Sequence, residues 1–175
     1  SDPPAIAFKS ADDAPVEEWL TERICEIFEL SGRHMPTTAI LVPTKEEVQL
    51  LSTKLLPHLE VNGLEMDASQ AGQTLGDTAR VRIFPVEYIK GLEFEAVFYV
   101  GLDKMEKIHK ELLDKYVYVG LSRSRSFLGV TFSQRFPKRL ACIEDCFEHG
   151  GTWHSPSEDD DELGEPLTQP PAFSS

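Results

Sequence analysis

Two short stretches of the chain put charge where apolar segments begin. Lys90-Gly91-Leu92-Glu93-Phe94 leads into one such segment, and Tyr118-Val119-Gly120-Leu121-Ser122-Arg123-Ser124-Arg125 leads into another. A lysine beside a glycine suits anion contact, because the ammonium attracts and the missing Cβ lets a ligand approach the backbone. An arginine stays charged and offers a planar fork of donors that matches phosphoryl oxygens. The plainer alternatives are a tight turn before a core strand with Lys90 and Glu93 solvated, and an arginine paired with a surface carboxylate. Arg125 is equally suited to favourable placement at a helix end.

Other chemistries are missing or better explained by structure. The chain has no Gly-x-x-x-x-Gly-Lys-Ser/Thr phosphate loop, no Gly-x-Gly-x-x-Gly, no Gly-x-Ser-x-Gly and no His-Glu-x-x-His. It is therefore not expected to bind a nucleoside triphosphate unaided. Cys142, Cys146, His149 and His154 invite a metal reading, but the expectation is no metal. The two cysteines adjoin Ile143 and Phe147 on a predicted helix, where cysteine serves as a small buried hydrophobe. Asp159 to Asp161 read as a flexible acidic tail rather than a magnesium site. Phe94, Phe98 and Tyr99 are expected in the core, with Tyr88 left on the loop where it could stack on a base.

The elements that must position these residues follow from hydrophobic spacing. Val16, Trp19, Leu20, Ile24, Ile27 and Phe28 recur at helical intervals, which predicts a helix over 15–31 opened by Pro15 and stopped at Gly32. Ala39 to Val42 is a short apolar run, followed by Thr44-x-x-Glu47, a capping-box pattern ahead of Val48, Leu51, Leu55 and Leu56. Residues 62–79 read as loop with one short strand near Leu64 to Met66. Strands are predicted at Val81 to Val86, Ala96 to Leu102 and Phe127 to Phe132, with a helix from Met105 to about Leu121. Pro137 opens a last helix, carrying Leu140, Ile143 and Phe147 on one face, before Gly150-Gly151. Strands that are apolar throughout, alternating with helices, imply an α/β fold: a mainly parallel sheet with helices on both faces.

Length and charge complete the reading. The 175 residues suit one domain with a remainder. Residues 1–14 are expected to be a linker or leftover segment, 15–151 the domain, and 152–175 an acidic, proline-rich tail too poor in apolar groups to order. The net charge is −13, yet residues 80–139 hold 12 basic against 7 acidic side chains, so the middle segment is where an anionic ligand would sit. No run of about 18 apolar residues exists, which excludes a transmembrane helix. Asp12, Asp13, Glu17 and Glu18 stand where a secretory leader needs basic residues. Three cysteines make no disulfide framework, and a reducing, cytoplasmic setting is expected.

Lys90 to Phe98 resembles motif V of the UvrD/Rep-type superfamily 1 helicases, whose signature is Lys-Gly-Leu-Glu-Phe followed by an apolar strand. Tyr118 to Arg125 is similar to their motif VI, Tyr-Val-Gly-x-Thr-Arg-Ala, and the separation of roughly thirty residues fits. The resemblance spans about Val16 to Gly150 and implies the second, C-terminal RecA-like domain of such a helicase, without a phosphate loop of its own. It implies ATP with Mg2+ bound jointly with a separate N-terminal RecA-like domain, and Arg123 as an arginine finger reaching the γ-phosphate. Glu93 would accept a hydrogen bond from the nucleotide sugar, and Lys90 and the Gly91 backbone would lie beside the phosphates or the nucleic-acid strand. Tyr88, Lys90 and Arg125 would touch single-stranded nucleic acid, DNA or RNA, with DNA the first expectation. Three positions depart from the pattern. Pro43 stands where motif IV has a phosphate-contacting arginine, Glu87 replaces the motif V histidine, and Pro85 the threonine before it. The likeness is thus to a divergent branch, and the alternative is a RecA-like interaction module that has lost motor function.

Overall fold

The computed structural model describes residues 3–69, 79–111, 113–121 and 127–153; the side chains of 119–121 are not considered. Seven strands form one sheet: β1 (Ala5–Lys9), β2 (Thr38–Val42), β3 (Met66–Ala68), β4 (Val81–Pro85), β5 (Ala96–Tyr99), β6 (Phe127–Phe132) and β7 (Phe147–His149). Their order is β3-β4-β2-β5-β6-β1-β7, and every pairing is parallel. Strand β2 is buried along its whole length. Its Ile40 and Val42 join α1 (Val16–Leu30) and α2 (Lys45–Val61) in one core. Its Ala39 and Leu41 join α3 (Leu102–Ile108), α4 (Leu113–Leu121) and the 3-10 segment Lys138–Cys146 in the other. A parallel sheet needs cover on both faces, and the continuous apolar runs supply it. The expected α/β architecture is present.

Residues 1–14 are not a linker throughout. Ala5–Lys9 pairs between β6 and β7, and Ile6 and Ala7 are fully buried. At the other end Trp153, assigned to the tail, is core: its ring meets Phe98 and Phe127 edge-on at 6.0 and 5.1 Å. Its indole N–H donates to the Pro4 carbonyl at 2.9 Å, and its backbone N–H to Glu26 Oε1 at 2.9 Å. Buried Arg23 pairs with that same Glu26 oxygen at 2.9 Å and donates to the Gly151 carbonyl at 3.3 Å, so its charge is matched rather than stranded. The rest of the predicted tail lies outside the described residues.

Three local expectations change. The Thr44 side chain makes no cap bond, and Glu47 pairs instead with Lys104 of α3. The helix predicted from Met105 to Leu121 is two helices. At 1.5 Å per residue, 17 residues span about 25 Å, longer than the four- to six-residue strands beside them, and the return to β6 is shortened by a break at His109. The His109 ring Nε2 lies 3.0 Å from the Pro43 carbonyl and fixes the break. After Pro137 the chain forms 3-10 turns, which stack Leu140 over Ile143, and Phe147 belongs to β7 rather than to a helix.

Candidate functional site

The turn that carries Lys90, Gly91 and Glu93 starts where β4 ends. Val86–Tyr88 make a single 3-10 turn, Ile89 N–H donates to Val86 O at 3.1 Å, and Leu92 N–H to Ile89 O at 3.0 Å. Val86, Ile89 and Phe94 face the core, which leaves Tyr88, Lys90, Gly91 and Glu93 exposed. Gly91 has φ +80°, a conformation that side chains with a Cβ adopt only at a cost. Among the described residues, and apart from its two chain neighbours, nothing lies within 4 Å of the position a Cβ would take there, so these residues leave the backbone open to an approaching group. The far end of the turn is stitched to neighbouring strands. Glu95 N–H donates to Thr37 Oγ1 at 3.1 Å, Ala96 N–H to Thr37 O at 3.0 Å, and Phe127 N–H to Glu95 O at 2.9 Å.

Phe94, the last residue of the stretch, packs 5.7 Å from Phe84. The Arg82 guanidinium lies over both rings, 5.5 Å from the Phe84 centroid and 5.8 Å from that of Phe94. Sequence reasoning missed Arg82; its one signal was a cation inside the apolar run Val81 to Val86.

The second stretch begins on α4, which is anchored to the sheet. The buried Tyr99 hydroxyl donates to the Tyr116 carbonyl. Burial, and then the nearby Glu87 carboxylate, push the Tyr116 phenol above its ordinary range. Tyr118 is exposed, with its hydroxyl 3.5 Å from Cys142 Sγ. Arg123 and Arg125 lie outside the described residues. Strands β5 and β6, which the two stretches lead into, are neighbours, and Ala96 is the register partner of Phe127.

Pro43 is built into the rim of the sheet. Besides the carbonyl held by His109, its ring Cγ stands 3.4 Å from where a Cβ on Gly101 would be. On the same rim Asp103 accepts from Ser133 N–H and Oγ–H, both at 3.2 Å, and from Gln134 N–H at 3.0 Å. Cys142 and Cys146 are exposed, not the buried hydrophobes expected from the helical reading, because their segment winds with a different period. His154 and Asp159 to Asp161 lie outside the described residues. Among the described residues, no group of three or more His, Cys, Asp or Glu is arranged to hold a metal, and no helix is long and apolar enough to cross a membrane.

An all-parallel sheet with this order and helices on both faces defines a RecA-like α/β domain. No family model matches the chain, and neither does any curated protein. Among solved structures it is similar to the C-terminal domain of a possible DNA helicase from Lactobacillus plantarum WCFS1, at 19% identity and a TM-score of 0.62, over 86% of this chain and 87% of that one. It also overlaps the large terminase ATPase domain of Thermus phage P74-26, at 13% identity and a TM-score of 0.45, over 95% of this chain and 83% of that one. The first likeness is one of fold, and it agrees with the architecture built from the strands.

Proposed function

We propose that this chain is the C-terminal motor domain of a UvrD/Rep-type superfamily 1 helicase, completing an ATP site shared with an N-terminal RecA-like domain of the same parent. The observation that carries the reading is the register of β5 on β6. Glu93 stands three residues before Ala96 and Arg123 four before Phe127, and Ala96 and Phe127 are partners on adjacent parallel strands. Strands β5 and β6, which follow the two motif segments in the chain, therefore begin at the same end of the sheet.

In this reading Arg123 reaches the γ-phosphate, and Glu93 accepts from the nucleotide sugar. Lys90 and the open backbone at Gly91 lie beside phosphate. Tyr88, Lys90 and Arg125 contact single-stranded nucleic acid, DNA or RNA, in a cytoplasmic setting. The described residues fit part of a nucleotide site: a cation, an uncrowded backbone and a carboxylate on one exposed turn. The phosphate-loop lysine, the Mg2+ ligand and the water-orienting carboxylate would come from the other domain, so the isolated chain is inactive. ATP, when bound with Mg2+, supplies the phosphoryl group; the residues here orient it and balance its charge.

The test is ATP turnover by the full-length parent with and without Arg123→Ala. Arginine fingers contribute about 10³- to 10⁵-fold in other nucleoside triphosphatases, and a loss on the order of 10³-fold is expected. Turnover within a few-fold of wild type removes Arg123 from this role.

Pro43 and Glu87 favour a second reading, a RecA-like interaction module without motor activity, because both replace family contacts and Pro43 is committed to packing against Gly101 and His109. A Gly-Lys-Thr phosphate loop followed by an Asp-Glu pair upstream in the parent decides for the motor, and their absence for the module.

A further inference from the structure

We propose that Arg82 is a positioning residue for the Lys90–Phe94 turn, acting through Phe94 to hold the Glu93 carboxylate in place. The inference rests on the reading that Glu93 contacts the nucleotide sugar. The turn is tied by Leu92 N–H to Ile89 O at 3.0 Å on one side, and by Glu95 N–H to Thr37 Oγ1 at 3.1 Å on the other. Between these ties stand Glu93 and Phe94, and among the described residues no backbone hydrogen bond fixes either one. What holds this part of the turn is the Phe94 ring, buried with Phe84, Val86 and Ile89.

Arg82 closes that pocket. The two rings are tilted by 40°, and a single flat cation lies over both, at 5.5 and 5.8 Å. Guanidinium on aromatic faces is attractive, and the arginine stem adds apolar cover. Arg82 extends from β4, a strand paired on both sides in the sheet, so its base is rigid. The contact thus transmits the position of the sheet to Phe94, and through one peptide unit to Glu93. Lysine keeps the charge but not the plane, so it should serve only in part.

The experiment compares variants of the full-length parent in steady-state ATP hydrolysis, with thermal unfolding of each as a check on folding. Arg82→Ala is expected to raise KM for ATP roughly 5-fold with little change in kcat, the scale of one partly exposed cation–aromatic contact. Arg82→Lys should raise it less. Added to Glu93→Ala, Arg82→Ala should raise KM no further, because its effect runs through the same carboxylate. In hydrogen exchange, Arg82→Ala should speed the Leu92 and Glu95 amides, whose hydrogen bonds tie the two ends of the turn, while leaving those of β2 and β5 as they were. Should Arg82→Ala not fold, Arg82→Lys and Arg82→Met carry the same comparison. An unchanged KM in the Arg82 variants, while Glu93→Ala raises it, overturns the positioning role and leaves the functional reading intact. Additive effects of the two substitutions also overturn it. A Glu93→Ala variant with wild-type KM removes the sugar contact itself and this inference with it.

Discussion

Gly129, in the middle of β6, is a residue whose replacement has a cost that the structure allows to be worked out. A Cβ there would meet Phe98 Cδ1 at 2.7 Å, Phe98 Cε1 at 2.9 Å and Trp19 Cη2 at 3.0 Å. Carbon atoms attract best at about 3.5–4.0 Å, so a single methyl intrudes by roughly 0.5–1 Å on two rings at once. Neither ring has room to withdraw. Phe98 is fully buried and meets Trp19 and Trp153 edge-on at 5.9 and 6.0 Å, while Trp19 is stacked on Phe8 at 5.1 Å. Overpacking of this kind costs about 1–3 kcal/mol. Alanine recovers roughly 0.5–1 kcal/mol by restricting the unfolded chain, which leaves a net loss near 1–2 kcal/mol for Gly129→Ala. For a chain of this length that lowers Tm by about 2–8 °C. Urea unfolding followed by tryptophan fluorescence reads the change directly, since the chain's two tryptophans, Trp19 and Trp153, both contact Phe98. Phe98→Leu makes space on one side, so the double variant should be more stable than the sum of the singles by about 1 kcal/mol. If Gly129→Ala unfolds at the wild-type urea concentration, or if the two losses simply add, the crowding argument is wrong.

Gly91 presents the opposite situation, space without conformational freedom. With φ +80° and no described residue crowding the site, Gly91→Ala should cost about 1–2 kcal/mol of backbone strain and Gly91→Asn less, an order that thermal unfolding of the two variants checks. Equal stability of Gly, Asn and Ala at this position would mean the turn does not hold the left-handed conformation. Tyr116 gives a pH dependence. Its phenol is raised in the folded chain by burial and then by Glu87, so the stabilisation of the protonated form is whole below the ordinary phenol value of about 10. It is lost as pH rises from there through the folded value, because the unfolded phenol ionises first. Tyr116→Phe should therefore show a shallower loss of stability above pH 10 in urea titrations, and slopes that coincide would remove the shift.

The candidate site was partly legible. Tyr88, Lys90, Gly91 and Glu93 break two apolar runs, and a break between buried strands must surface as a turn; they are exposed there. Arg123 and Arg125 lie outside the described residues, and their roles rest on motif resemblance. Arg82 was not legible, because its contacts are with Phe84 on its own strand and with Phe94, twelve positions on, whose approach depends on how the turn folds back.

The chain's own pattern determined what depends on near neighbours. The spacing of Trp19, Leu20, Ile24 and Ile27 made α1, and the unbroken apolar run at β2 required a strand covered on both sides. The tertiary structure alone decided what depends on distant partners. Ala5–Lys9 is too short to carry a period, and it is a strand because β6 and β7 supply its hydrogen bonds from more than a hundred residues away. Glu47 left its capping role for Lys104, and the break at His109 was set by the Pro43 carbonyl and the length of the sheet. Local propensity fixes which segments can form each element; which of them do so, and where they end, is settled by the groups that the folded sheet brings within bonding distance.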